Sequence, residues 1–194
     1  MTITTPSLIR RPVRRPARRA AFTLVEVMIG AALSSAILAG ILSTFLFMGR
    51  AGANLQNYSD METQARRALE LFAEDVRQAS AISWNSSTSV TLTVNSAAVV
   101  YAYDSSTAIF SRTAAADTRV LVTGISPGTF AFKGYNLAGT EMPLATSANL
   151  TAAGSSTKQL QISLEASRNT RTVTTATNLV LSARYILRNK IVTA

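Results

Sequence analysis

The chain has 194 residues and a formal net charge of +9, and it contains no histidine and no cysteine. The length suits one ordinary domain with an appendage. The lack of histidine removes the commonest general base and zinc ligand, and the lack of cysteine excludes disulfides. Sequence motifs of serine hydrolases, nucleotide-binding loops and zinc proteases are also absent. The sequence therefore predicts a protein that is not an enzyme and needs no cofactor or metal.

The positive charge is concentrated at the N-terminus. Residues 1–21 hold six arginines and no acid, and removing these six leaves +3 for residues 22–194. Because the basic run stops against an apolar stretch, it favours membrane targeting over nucleic-acid binding. No basic stripe interleaved with aromatic residues follows, so the sequence disfavours DNA as a partner.

The apolar stretch is long enough to cross a membrane. Residues 27–49 are 23 residues without a charge, and about 20 helical residues cross a bilayer core of about 30 Å. The arginines predict a cytoplasmic N-terminus with the rest outside. A cleaved signal peptide or a plain signal anchor are the alternatives, although the run exceeds the usual apolar region of about 7–15 residues in a signal peptide. Glu26 lies at the start of the stretch, where a carboxylate costs a few kcal/mol, so it indicates a partner and a role.

Residues 18–29, Arg-Arg-Ala-Ala-Phe-Thr-Leu-Val-Glu-Val-Met-Ile, resemble the type IV prepilin signature. In that family a basic leader ends in a small residue and is followed by F-T-L-x-E and an apolar helix. The resemblance implies cleavage between Ala21 and Phe22 by a membrane prepilin peptidase, and N-methylation of Phe22 by the same enzyme. It also implies that Glu26 engages the N-terminal amine of a neighbouring subunit during assembly. Ala21 departs from the glycine usual before the cut, but alanine is the next smallest residue, so we expect cleavage there.

The same resemblance implies partners and a location. The partners are prepilin peptidase, other pilin or pseudopilin subunits, an inner-membrane assembly platform and membrane lipid. The location is the bacterial inner membrane, as a single pass with a periplasmic head, and then a pilus or pseudopilus.

Helical periodicity resumes after the apolar stretch. Apolar residues recur at steps of three or four and form one stripe. The stripe consists of Leu55, Tyr58, Met61, Ala65, Ala68, Leu69, Phe72, Val76, Ala79 and Ile82. Since no proline occurs between residues 17 and 126, we expect one helix over about 22–82, half in the membrane and half packed on a globular domain.

The remainder of the sequence has strand character. Alternating and β-branched segments predict strands at 90–94, 98–103, 108–112, 119–123, 129–135, 159–165 and within 172–188. Residues 84–89 are predicted as a turn and 136–157 as a loop. The fold class is therefore α+β, a long N-terminal helix packed on an antiparallel sheet, which is pilin-like. The predicted domains are a leader (1–21), a transmembrane helix (22–49), its amphipathic continuation (50–82) and a β-rich head (83–194).

A second resemblance concerns the head. Residues 64–70 and 75–79 are similar to the helix of J-type pseudopilins of type II secretion and of W-type minor pilins. Residues 99–103 and 109–112 are similar to a strand pair of those subunits. The resemblance implies a pseudopilin or a minor pilin.

The lysines, acids and aromatic residues of the head have ordinary structural interpretations beside functional ones. A serine–lysine dyad could use Lys133, Lys158 or Lys190, but no spacing selects one of them. The acids Asp104, Asp117 and Glu141 are interpreted as solvated loop residues. The aromatic residues are interpreted as core, with a surface role for Trp84 as the alternative; they are Trp84, Tyr101, Tyr103, Phe110, Phe130, Phe132 and Tyr135. Two alternative functions remain: a signal-anchored periplasmic binding domain outside any fibre, and a membrane-tethered hydrolase.

Overall fold

A computed structural model describes residues 21–170 and 173–192, so the predicted leader lies, apart from Ala21, outside the described residues. The architecture is α+β, as predicted: a long N-terminal helix is followed by antiparallel sheets. The elements in chain order are α1 (Leu24–Gln78), β1 (Ala81–Ser86), β2 (Ser89–Val94), β3 (Ala97–Asp104), β4 (Ile109–Ala114), β5 (Asp117–Thr123), β6 (Ala131–Tyr135), α2 (Ser147–Ser156), β7 (Gln159–Thr170) and β8 (Val173–Ile186).

The chain divides into two compact units, Met1–Leu46 and Phe47–Ala194, and α1 contributes to both. In the first unit every residue of α1 is exposed. Its side-chain hydroxyls turn back to the helix: Ser35 donates to the carbonyl of Ala31 at 2.7 Å. The first unit therefore contains no core of its own in the part of the chain that is described.

In the second unit, α1 buries one face. Met61, Phe72 and Val76 are at most 1% exposed, and their spacing keeps them on one side of a helix with 3.6 residues per turn. The helix ends at Gln78, which is four residues earlier than the predicted end. After the helix, buried apolar residues recur at every second position and no longer about every 3.6 positions. Residues 84–86, which were predicted as part of a turn, belong to β1, in which the side chains of Ile82 and Trp84 are buried.

Five strands form a meander in the order β1-β2-β3-β4-β5, with every pair antiparallel. The β2–β3 connection has two residues, Asn95 and Ser96, with φ of 50° and 65°. Positive φ at both central residues is the geometry of a type I′ turn, whose twist suits a tight hairpin. The local polar sequence thus sets the register of this pair.

The remaining strands form a second antiparallel sheet in the order β6-β7-β8. The two sheets are joined where the chain leaves β5. Ile125 pairs with Ala166 of β7, and the amide of Ser167 donates to the carbonyl of Gly124 at 2.8 Å. A side chain at Gly124 would place a Cβ only 2.7 Å from the carbonyl oxygen of Ser167, and φ is +72°. Glycine is therefore required at this joint.

The segment predicted as a loop at 136–157 contains a short helix, α2, so that prediction was wrong for residues 147–156. Thr146 caps its N-terminus, its side-chain oxygen accepting from the amide of Asn149. At the other end Lys190 donates to the carbonyls of Gly154 and Ser155 at 2.6 and 2.9 Å. These contacts satisfy groups that a helix end leaves without partners.

One aromatic ring connects the helix to both sheets. Phe72 lies 5.1 Å from Tyr101 of β3, and 5.9 Å from both Phe132 of β6 and Tyr185 of β8, measured between ring centroids. Aromatic pairs at such distances add to the stabilisation that comes from burial alone. Six of the aromatic residues predicted as core are buried, and the seventh, Tyr103, is half-buried.

Candidate processing and assembly site

The predicted cleavage junction lies just outside the helix. Ala21 and Phe22 have non-helical backbone, α1 begins at Leu24, and Phe22 is 83% exposed. Exposed, non-helical segments are the positions that proteases reach most readily. The structure therefore leaves the Ala21–Phe22 bond accessible.

Glu26 and Thr23 close the start of α1 by a reciprocal pair of hydrogen bonds. The backbone amide and hydroxyl of Thr23 donate to Oε2 of Glu26 at 2.9 and 3.0 Å. The amide of Glu26 donates in turn to the hydroxyl oxygen of Thr23 at 3.2 Å. This is a capping box, in which an N-cap threonine and a glutamate three residues later satisfy two amides of the first turn. The capping box was not predicted, although the spacing Thr23-x-x-Glu26 before an apolar run is its signature in a sequence.

The capping geometry leaves Glu26 able to bind a second donor. Both contacts from Thr23 fall on Oε2, and Oε1 has no hydrogen-bond partner among the described residues. An ionised carboxylate accepts at both oxygens. A cleaved chain would begin at Phe22, so an α-amino group and this carboxylate would lie within one turn of each other. The arrangement can therefore bind a cationic amine without giving up the cap.

The helix that follows presents an apolar surface over its first part. Exposed fractions are 55% at Ile29, 61% at Leu33 and 70% at Phe45. By length and composition α1 is capable of crossing a membrane. A contiguous exposed apolar surface that extends over a long helix marks a contact with membrane or with other proteins. The residues that would face lipid or neighbouring helices include small ones, Gly30 and Gly40 among them, at which an added Cβ meets nothing within 4 Å.

The lysines and acids considered as alternative candidate residues take structural roles. Lys133 pairs with Glu141 at 3.1 Å, and Lys158 donates to the carbonyl of Lys190. Asp104 binds the amide and hydroxyl of Ser106, which holds a turn.

Trp84 does not form a surface. It is 6% exposed, and its indole N–H donates to the hydroxyl of Thr157 at 3.0 Å. The surface alternative for this residue is wrong, because the strand β1 turns its side chain into the core.

A charged cluster inside the head was not anticipated. Asp75 of α1 is 7% exposed; its carboxylate accepts from the hydroxyl of Tyr101 at 2.7 Å and from Nε of Arg112 at 2.6 Å. Burial first, and then the carboxylate of Asp75, raise the pKa of Tyr101 well above its usual range. Since a buried charge needs a partner, the cluster fixes the helix against β3 and β4. In the sequence, the one sign of this cluster was that an acid, Asp75, directly precedes Val76 of the apolar stripe.

A family model, the prokaryotic N-terminal methylation motif, matches residues 16–42. No curated protein matches the chain. The motif indicates a precursor of the type IV pilin or pseudopilin kind, a class of structural subunits. It implies processing by a prepilin peptidase and assembly with other pilin subunits. Together with the apolar part of α1 it indicates membrane anchoring.

Proposed function

We propose that this chain is a structural subunit, a minor pilin or a pseudopilin, of a type IV pilus or a type II secretion pseudopilus. The observation that supports it most is the methylation motif at 16–42, which runs directly into an exposed apolar helix. In this proposal prepilin peptidase cuts between Ala21 and Phe22 and methylates Phe22. The mature subunit sits in the inner membrane with its head in the periplasm, and then enters the fibre through α1.

The assembly step follows from charge and geometry. The apolar part of α1 must lie in lipid or between neighbouring helices, where an ion pair is poorly screened by water. Glu26, with Oε1 available, would receive the methylated amine of Phe22 from a neighbouring subunit. The pair would select subunits whose leaders have been removed and would set their relative position.

Three of the four head segments that resemble J-type pseudopilins and W-type minor pilins meet at one point. Asp75 comes from one of them, Tyr101 from another and Arg112 from a third, and the three form the buried cluster. This convergence supports treating the segments as one packing unit, and it is the reason for placing the chain with those subunits within the proposal.

The test is the mature N-terminus, read by intact mass and peptide mass spectrometry of protein from its native membrane. We expect a chain that starts at Phe22 and carries one added methyl group. The matched controls change Ala21: Ala21→Gly is expected to speed processing, and Ala21→Leu to block it. A chain that still begins at Met1, or that is cut beyond the apolar run, would contradict the proposal and return the protein to the signal-anchored alternative.

A further inference from the structure

Strand β8 is the outermost strand of its sheet, and its outer edge lacks the usual protection against pairing. Residues 177–186 pair with β7 on one side without a register shift. The sequence of β8 contains no proline, glycine, lysine or acid, and its one charged residue is Arg184. The guanidinium of Arg184 lies 3.5 Å from the ring centroid of Tyr135 and so points back across the sheet. Such an edge is a template for pairing with another chain.

The other three sheet edges are each covered or interrupted. Helix α2 packs on β1. Strand β5 carries the charged residues Asp117 and Arg119, and its pairing with β4 has an irregularity. At β6 the amide of Phe132 donates to the carbonyl of Ser87 at 3.1 Å. Within the described part of the chain, the edge of β8 is therefore the exception, which indicates that another strand pairs with it.

The row of side chains that β8 directs into the head is only partly covered. In β7, Leu160 and Leu164 are at most 3% exposed. Their cross-strand neighbours in β8 are Tyr185 and Leu181, which lie on the same face of the sheet and are half-buried. The difference arises because β7 has a strand on both sides and β8 has one on a single side. One more strand beside β8 would complete this layer.

A groove between α1 and β8 follows this edge. The apolar part of its lining consists of Leu69, Ala73 and the ring of Tyr185. A strand added to β8 would direct alternate side chains toward this lining. Its backbone would pair with the amides and carbonyls of the edge, which is the β-augmentation mode of peptide recognition. The groove therefore suits an extended segment.

Two carboxylates on the groove require a cation from that segment. Glu70 and Glu74 are exposed and lie one turn apart on α1. Neither forms an ion pair among the described residues. Glu74 accepts from the neutral side-chain amide of Gln78 at 3.3 Å. Glu70 attracts Arg66, but that guanidinium is already bonded to Glu62 at 2.7 Å.

The groove also contains one cation, Arg77, which offsets one of the two carboxylates. Its guanidinium lies 6.0 Å from the ring centroid of Tyr185, at the end of the groove. Arg77 follows Glu70 by two turns, or about 10 Å of helical rise. Since charges at the surface are screened over about 8–10 Å, Arg77 repels a cation beside Glu70 only weakly. The groove as a whole keeps an excess of negative charge.

This charge disfavours a second copy of the chain as the occupant. Two β8 edges paired with each other would place the α1 flanks of both copies side by side over the joined sheet. That arrangement would bring together four carboxylates and two guanidinium groups. A separate basic segment would meet opposite charge, which favours the correct partner and register.

We propose that residues 178–186 of β8 bind an extended segment of a different protein as an additional strand. The segment carries apolar side chains and at least one lysine or arginine on the row that faces α1. The apolar side chains cover Leu69 and Ala73, and the cation pairs with Glu70 and Glu74. The inference goes beyond the proposed function, because it requires the folded head and no fibre.

The probe is a fluorescein-labelled synthetic peptide, Thr-Val-Thr-Lys-Thr-Lys-Thr-Val-Thr, and its matched control has glutamates in place of both lysines. Binding to the full-length chain in nonionic detergent is measured by fluorescence anisotropy, against detergent alone. We expect the lysine peptide to bind at least tenfold more tightly than the glutamate peptide. Hydrogen exchange should then slow at residues 178–186 and stay unchanged in β5.

A charge swap fixes the site. The double variant Glu70→Lys with Glu74→Lys should reverse the preference between the two peptides. Both positions are exposed, so the fold is retained, and Trp84 fluorescence checks it. Arg67→Glu, in the groove between α1 and β5, is the matched control and should leave the preference unchanged.

Four outcomes would overturn the proposal. They are no saturable binding, equal affinity for the two peptides, a preference that the charge swap leaves unchanged, and slowed exchange outside residues 178–186. A dimer of the chain that dissociates as the lysine peptide binds would assign the edge to a second copy and would overturn it as well.

Discussion

The two parts of α1 differ in what covers their apolar side chains. In residues 24–46 every side chain is exposed, whereas Met61, Phe72 and Val76 in the second part are buried by the sheets of the same chain. In the second part, the fold of the chain itself covers the apolar side chains. The first part would expose a continuous apolar surface to water unless lipid or like helices surrounded it. The comparison shows that hydrophobic content alone does not tell which surfaces a fold needs and which an assembly needs.

The largest effect on assembly is expected from Glu26, whose loss should act on the first part alone. Glu26→Ala should leave cleavage intact and lower incorporation into fibres by about tenfold or more, which corresponds to losing at least about 1.4 kcal/mol of pairing energy. Quantitative blotting of sheared fibres against membranes measures it.

The variant Glu26→Gln separates the two roles of this residue. Glutamine keeps the capping box with Thr23 but carries no charge. If charge pairing drives assembly, Glu26→Gln fails as Glu26→Ala does, while Thr23→Ala, which removes the cap and keeps the charge, assembles. Normal assembly of Glu26→Gln would instead assign the role to the cap.

Two phenylalanines sharpen the contrast between the parts of the helix. Phe72 is 0% exposed and Phe45 is 70% exposed. Phe72→Ala should lower the free energy of unfolding of the head by about 3–5 kcal/mol, measured by urea unfolding followed through Trp84 fluorescence in detergent. Phe45→Ala should leave that free energy unchanged. Equal losses in the two variants would mean that the first part of α1 shares the core of the head.

The charged cluster should give a smaller loss. Asp75→Asn leaves the guanidinium of Arg112 poorly paired, and we expect a cost of about 2–3 kcal/mol. The double variant with Arg112→Met should cost less than the sum of the two single changes, because removing both partners leaves no unpaired charge. Additive losses in the same unfolding assay would show that the two residues act separately.

The smallest effect concerns alkaline pH. The folded pKa of Tyr101 is raised above the ordinary value of about 10 by burial and by Asp75. A raised pKa gives stability that is fully present below pH 10 and is lost as the pH rises above it. The difference in unfolding free energy between the wild type and Tyr101→Phe should therefore shrink above pH 10, by at most about 1.4 kcal/mol per pH unit. A difference that stays constant from pH 9 to 11.5 would refute the assignment. Tyr58→Phe, at an exposed tyrosine, is the matched control.

Much of the fold could be predicted from periodicity, and the failures have physical reasons. The strands of the meander follow from alternation, as in residues 90–94. The helix end was placed too late because Ala79 and Ile82 fit a spacing of three, although they are buried from an extended segment. Helix α2 was missed because its serines, threonines and alanines carry no amphipathic pattern, and its C-terminal end is fixed by Lys190 from far along the chain.

The candidate site was predictable only in part. The residues Ala21, Phe22 and Glu26 could be named from a short local pattern, and their roles in processing and assembly stay predictions. The capping by Thr23 was readable from spacing. The partners of Asp75 were not, since Tyr101 and Arg112 are 26 and 37 residues away and only the tertiary fold brings them together. The 71% exposure of Leu55, which belongs to the predicted apolar stripe, was equally hidden, because periodicity shows that a stripe exists and not how far the sheets extend along it.

The ring of Phe72 has a consequence for how the head comes apart. Because it touches Tyr101 in one sheet and Phe132 and Tyr185 in the other, the helix cannot leave one sheet and stay on the other. The head should lose its structure in a single cooperative transition, without a half-open form. The same ring fixes the rotational phase of the helix: one residue inserted between Ala65 and Phe72 would turn the ring by about 100° away from both sheets.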